Sequence, residues 1–121
     1  MITLGIDSGT QSTKTVALDL ATGAILASAQ QTYGFVEAKG DGAMEQDPAV
    51  WIAAVESTIS QILEKLGSRR SEVAGIGVSG QQHGLVLLDA VDQVVRPAKL
   101  WCDTSTTAQC TELTKTLGGE A

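Results

Sequence analysis

Sulfur, imidazole and aromatic rings are all scarce in this chain. Its 121 residues include two cysteines, one histidine, one tyrosine, one phenylalanine, two tryptophans and two prolines. Cys102 and Cys110 are too few for the disulfide framework of a small secreted domain, and their spacing matches no zinc pattern. Reduced thiols of a cytoplasmic protein are the expectation. Positive charge is also short: eight basic residues face fourteen acidic ones, and a net charge of -6 has the wrong sign for nonspecific attraction to nucleic acid or anionic lipid. No apolar run approaches the roughly 20 residues needed to cross a bilayer. The start, Met1-Ile2-Thr3-Leu4-Gly5-Ile6-Asp7, lacks the basic flank and long apolar segment of a signal peptide. The phosphate-loop pattern GxxxxGK[ST] and the hydrolase elbow GxSxG are both missing, which removes support for a Walker-type NTPase and for serine hydrolysis.

Apolar residues at 43% and charged residues at 18% suit one soluble globular core rather than disorder. Ile2, Leu4 and Ile6 alternate with Thr3, Gly5 and Asp7, the period of a strand, and Ser8 to Ser12 form a turn. Alternation resumes from Lys14 to Leu20, and Ile25 to Tyr33 offers a third extended run, so a three-stranded antiparallel meander is predicted. Gly34 to Gln46 reads as a surface loop. Asp47-Pro48 is a helix start, and a helix is predicted over Pro48 to Leu66 with Trp51, Val55, Ile59, Ile62 and Leu66 on its apolar stripe and Gly67 at its stop. Val73 to Ser79 reads as a buried strand, Leu85 to Asp89 as another, Val94 to Trp101 as a weaker extended segment, and Thr106 to Leu117 as a closing helix. The pattern implies an α/β domain with a mixed sheet, and an abrupt end after a helix suggests a fragment.

The chemistry concentrates at two turns. Asp7, Ser8, Gly9, Thr10, Gln11, Ser12, Thr13 and Lys14 place one carboxylate, several hydroxyls and one ammonium around a tight bend. Gly9 lets backbone approach an anion, the hydroxyls supplement the amides, and Lys14 adds positive charge. Asp7 conflicts with phosphate, since like charges ~4 Å apart repel by about 4 kcal/mol at an effective dielectric of 20. A divalent cation resolves the conflict, because Mg²⁺ keeps several waters and uses one or two carboxylates with substrate phosphates. An ordinary polar hairpin is the competing reading of the same residues.

The second turn, Gly80-Gln81-Gln82-His83-Gly84, carries the sole histidine between glycines at a strand end. Its amides and imidazole both give and accept hydrogen bonds, as a polyhydroxylated ligand requires, while a turn satisfying its own backbone is the alternative. Gly75-Ile76-Gly77-Val78-Ser79-Gly80 fits GxGxxG, yet the motif is itself the strand, so its glycines are expected to serve helix-to-sheet packing instead of a dinucleotide. Trp101 offers an apolar wall for a sugar, or else fills core. Asp103 is placed to cap the following helix, and Cys102 and Cys110 to fill small buried gaps.

Taken together, Gly5-Ile6-Asp7-Ser8-Gly9-Thr10, Glu45-Gln46-Asp47-Pro48, Gly77 to Gly84 and Leu100-Trp101-Cys102-Asp103 resemble the N-terminal part of the FGGY carbohydrate kinases. The resemblance covers essentially the whole chain, and the Gln81 to Gly84 segment looks most like the members that phosphorylate D-xylulose with ATP. It implies a ribonuclease-H-like, actin-like ATPase domain with a mixed sheet, with residues 1–121 forming the N-terminal portion of the sugar-binding domain. The rest of that domain and a C-terminal nucleotide domain would lie beyond Ala121, together with the catalytic base. It further implies that Asp7 holds Mg²⁺, that Gly9, Thr10, Gln11, Ser12, Thr13 and Lys14 contact nucleotide phosphates, and that Gln82, His83, Trp101 and Asp103 bind the sugar. Gln82, where many relatives have methionine, and Thr104-Ser105-Thr106, where many carry an arginine, leave the choice of sugar open. Gluconate or another ketose stands as the alternative substrate, and a noncatalytic sugar-binding module or another actin-like ATPase as the alternative function. On its own the chain is expected to turn over no sugar and to expose an apolar surface favouring self-association.

Overall fold

The computed structural model describes residues 1–37 and 40–119; Ala38 and Lys39, inside the segment read as a loop, and Glu120 and Ala121 lie outside the described residues. The chain divides into two compact units, Met1–Gly34 with Pro48–Gln82, and Phe35–Asp47 with His83–Ala121.

The first unit is built on the predicted meander. Strand β1 (Ile2–Ser8) pairs antiparallel with β2 (Ser12–Asp19), which pairs antiparallel with β3 (Ile25–Thr32). A two-residue strand β4 (Glu45–Gln46) belongs to the second unit. Helix α1 (Pro48–Leu66) follows with the predicted bounds, and Gly67 (φ 56) reverses the chain into a 3₁₀ turn over Gly67–Glu72. Strand β5 (Val73–Gly80) then lies parallel to β1, giving the sheet order β3-β2-β1-β5.

The inward positions of the meander set where α1 sits. Ile2 and Leu4 of β1, Ala17 of β2, and Ala27 and Ala29 of β3 meet Ile62 and Leu66 in one buried cluster. The alanines of β2 and β3 leave room for the helix, which lies mainly across those two strands. The deepest line on α1 is Ala54, Thr58, Ile62 and Leu66. Ile62 and Leu66 of the predicted stripe lie on that line, while Trp51, Val55 and Ile59 flank it half-buried, since in the first half of the helix it is the small Ala54 and Thr58 that turn fully inward. Thr15 Oγ1 donates to Thr58 Oγ1 at 2.8 Å, and Thr58 in turn donates to the Ala54 carbonyl at 2.9 Å, all out of water.

Strand β5 departs from expectation. Ile76 and Val78 are 58% and 71% exposed, so it is an open edge strand and not a buried one. Its glycines do not serve helix packing, since a Cβ at Gly77 would meet nothing within 4 Å and those at Gly75 and Gly80 would meet only β1.

At the far end of this sheet, Arg69 joins Asp19 (2.9 Å) to Glu72 (2.8 Å). Hydrogen bonds from Arg69 hold both carboxyls below their usual range, and the two carboxylates push the guanidinium up.

In the second unit β4 pairs antiparallel with β6 (Ala98–Lys99), and helix α2 (Thr107–Leu117) ends at Gly118 in the left-handed conformation. Leu85 to Asp89 is not a strand. It contributes only isolated bridges, Leu85 to Lys99 and Leu88 to Val94, within a hairpin whose bend is closed by the Asp89 carboxylate accepting from the Val91 and Gln93 amides. The segment read as a loop is tied down from Gly42 onward: Thr104 N donates to Gly42 O (2.9 Å) and Leu100 N to Met44 O (3.0 Å). Gly42 itself sits at φ 73 against Thr104, a place closed to any side chain. Cys110 is exposed on α2, and both thiols are free, so that cysteine does not fill a core gap.

Candidate functional site

Because β1 and β5 run parallel, their carboxyl ends, Asp7-Ser8 and Ser79-Gly80, finish at the same end of the sheet. That is the end at which open α/β sheets receive ligands. The β1–β2 bend, Gly9 to Gln11, stands there too, and Gln81 N extends the pairing by donating to Ser8 O at 2.9 Å. Thr10 Oγ1 reaches the Gln81 side-chain oxygen at 3.2 Å, tying the two turns together.

Strand alternation sorts the predicted residues onto two faces. Asp7 pairs with Lys14 across β1 and β2, and with Ser79 across β1 and β5. These three line an open pocket of about 540 Å³ whose floor is Gly5, Val16 and Gly77. Asp7 and Lys14 are exposed, and neither charged group has a hydrogen-bond or ion-pair partner among the described residues. An unpartnered carboxylate and ammonium on adjacent strands, over a floor of glycine, form a surface that can take a cation and an anion together.

Ser8 and Thr13 occupy the next register pair and the opposite face. Thr13 is fully buried; its hydroxyl donates to Ser8 Oγ at 3.3 Å and lies 3.3 Å from the Tyr33 oxygen. It therefore stands apart from the face carrying Asp7 and Lys14. Ser12 Oγ accepts from Gln30 at 3.0 Å, and Gln11 is exposed at the tip of the bend.

Gly9 is informative for what the fold does not ask of it. Its φ lies outside the left-handed region, and a Cβ would make only ordinary contact, 3.5 Å from Ser12 O. Its own amide is already donated to that carbonyl at 2.9 Å. Nothing within the described protein requires the missing side chain, so space over the bend is its remaining use.

Gln82 closes the first unit, while His83, Trp101 and Asp103 belong to the second. His83 is exposed at φ 61, with no hydrogen bond to its ring among the described residues. Trp101 is 62% exposed on a turn and is not core. Asp103 does not cap α2, whose first turn has no side-chain cap at Thr106. Its carboxylate instead accepts from Ser105 Oγ (2.6 Å), Ser105 N (3.0 Å), Met44 N (2.8 Å) and Lys99 Nζ (3.3 Å). The Ser105 hydroxyl foremost, then the Met44 amide, hold this carboxyl well below the usual range. Lys99 also pairs with Glu45 at 3.4 Å, and Arg96 pairs with the same carboxylate.

The residue that motif reading misses is Tyr33. Its hydroxyl donates to Gly9 O at 2.6 Å and its amide to Gln11 O at 3.1 Å. Strand register held the signal: Ser12 faces Thr32, so the residue that follows β3 stands beside the bend.

A mixed sheet in this order, with a polar bend after its first strand, defines the class as an actin-like ATPase domain of ribonuclease-H-like fold, here its N-terminal part. The chain belongs to the FGGY family of carbohydrate kinases, whose N-terminal domain matches residues 2–121. It is similar to the xylulose kinase of Streptomyces coelicolor, at 41% identity over 118 residues, 98% of this chain and 23% of that protein. Among solved structures it resembles a xyloylose kinase from Brucella ovis (36% identity, TM-score 0.85, 98% of this chain and 24% of that one). It also resembles a gluconate kinase from Lactobacillus acidophilus (28% identity, TM-score 0.84, 97% and 23%). The chain thus spans about a quarter of the length of these relatives. Among the described residues no helix is long and apolar enough to cross a membrane.

Proposed function

We propose that this chain is the N-terminal part of an ATP- and Mg²⁺-dependent sugar kinase that phosphorylates D-xylulose. The observation that carries the reading is the unpartnered Asp7–Lys14 pair over the glycine-floored pocket, in a chain whose family transfers phosphate to carbohydrates. The residues fit the groups the family implies. Asp7 is the one carboxylate among the described residues that line the pocket, and a single carboxylate completed by water and phosphate oxygens suits the habit of Mg²⁺. When bound, the metal supplies charge neutralisation between Asp7 and the nucleotide's terminal phosphates.

The chain's own residues then divide the work. Lys14, the hydroxyls of Thr10 and Ser12 and the backbone of Gln11 orient phosphate oxygens, Gly9 leaves them room over the bend, and buried Thr13 holds the bend from beneath. Gln82 and His83 offer donors and acceptors to sugar hydroxyls, Trp101 an apolar face to its C–H groups, and Asp103 fixes the turn that carries Trp101. The base that takes the proton of the attacking hydroxyl, the remainder of the sugar domain and the adenine pocket fall in the part of the relatives this chain does not span.

The test is ADP release by the full-length protein with D-xylulose, gluconate and glycerol in turn, in the parent and in Asp7→Ala. Sugar-dependent release that is largest with D-xylulose and lost in the variant supports the proposal. Release indifferent to sugar points to a plain ATPase, and undiminished turnover in Asp7→Ala removes the metal role. Gluconate is the second reading, favoured by the likeness to the L. acidophilus structure.

A further inference from the structure

We infer that Tyr33 is a positioning residue of the phosphate-contacting bend, acting through the peptide plane between Gly9 and Thr10; the inference rests on the proposed kinase reading. Three carbonyls of the bend are tied down. Gly9 O is held by the Tyr33 hydroxyl at 2.6 Å, Gln11 O by the Tyr33 amide at 3.1 Å, and Ser12 O by the Gly9 amide at 2.9 Å. Two of the three donors belong to one residue.

A trans peptide is planar, with its carbonyl and the following N–H pointing in opposite directions. Fixing Gly9 O on the tyrosine hydroxyl therefore sets the direction of the whole Gly9–Thr10 plane. This matters most at Gly9, where no Cβ limits rotation of the backbone. A carbonyl oxygen turned outward at this bend would face an incoming phosphate with like partial charge. Held on Tyr33, it cannot. The short bond also commits the tyrosine proton to Gly9 O, and the ring oxygen lies 3.3 Å from Thr13 Oγ1, itself buried against Ser8. The tyrosine thus links β3 to the bend and to the buried hydroxyls beneath it, with no direct part in the reaction.

The conservative variant Tyr33→Phe removes one hydroxyl and keeps the ring, which is half-buried. Two measurements on the full-length protein test the inference. Without nucleotide, amide hydrogen exchange in the peptide containing residues 9–12 is expected to quicken about fivefold or more, the factor for losing one hydrogen bond of ordinary strength, while α1 and β3 keep the parent's protection. With nucleotide, the dissociation constant for Mg·ADP and the KM for ATP are expected to rise by about five- to tenfold, with the sugar KM unchanged within twofold. General destabilisation would move both substrates together. Parental exchange at the bend, or parental nucleotide affinity in the variant, overturns the inference while leaving the kinase reading intact. A parent protein that binds no Mg·ADP overturns both, and the exchange result then shows whether the clamp is merely structural.

Discussion

Replacing Thr58 by valine tests how the sheet holds its helix. Both Thr15 and Thr58 are fully buried, and the Thr15 hydroxyl donates to Thr58 Oγ1 at 2.8 Å. Valine has nearly the same shape and helix propensity as threonine, so the variant isolates the polar term. It leaves Thr15 with a buried donor and no acceptor, at a cost of about 1–3 kcal/mol. Burying a methyl in place of a hydroxyl returns about 0.8 kcal/mol. The net expectation is a loss of about 0.2–2 kcal/mol.

The double variant Thr15→Val with Thr58→Val removes both polar partners together, which is close to neutral when the shape is kept. It should therefore be more stable than Thr58→Val alone, a coupling of about 1 kcal/mol or more. Urea unfolding followed by the fluorescence of Trp51, half-buried on the same helix, reads the difference as a shift in midpoint at constant slope. A double variant as unstable as the sum of its singles would refute the reasoning.

Two further outcomes are expected. The folded-state carboxyl of Asp103 is depressed, so its contribution to stability is present above the unfolded carboxylate value near about 4 and is lost as pH falls through the folded value. Thermal unfolding should accordingly show Asp103→Asn less stable than the parent at pH 7, with the gap closing as pH is stepped from 5 to 2; equal melting temperatures at pH 7 would contradict the network. Gly9→Ala should raise stability by about 0.4–1 kcal/mol, since its backbone accepts a side chain, yet lower Mg·ADP affinity of the full-length protein about tenfold. Unchanged nucleotide binding would show that no ligand uses the space over the bend.

The meander and α1 were legible in the sequence because their signals are local: period-two alternation from Ile2 to Asp7, and Pro48 and Gly67 bracketing the helix. In the second unit the closing helix was legible, expected over Thr106 to Leu117 and found over Thr107–Leu117, but the β4–β6 pairing was not, because it joins Glu45 to Lys99 and no neighbouring residue announces that contact. Helix α1 misled in another way. Ile62 and Leu66 of its apolar stripe reach the core, yet in its first half the large Trp51 and Val55 draw attention while the small Ala54 and Thr58 are the buried residues. Of the proposed site, Asp7 and Lys14 come together through the hairpin register that alternation already implies. The same alternation turns Thr13 inward, a distinction that a list of hydroxyl-bearing residues does not make. Asp103 was visible as a chemistry-bearing residue, but its partner Met44 N lies 59 positions away in sequence, out of reach of motif reading.

The left-handed backbone at His83 (φ 61) has a consequence for protein engineering. A non-glycine residue there carries about 1 kcal/mol of conformational strain, so a design calculation that rewards thermal robustness alone would choose glycine or asparagine and discard the chain's sole imidazole. Asparagine, which tolerates the same backbone, is also the proper control for any experiment that deletes the ring, because alanine would change chain geometry and chemistry at once.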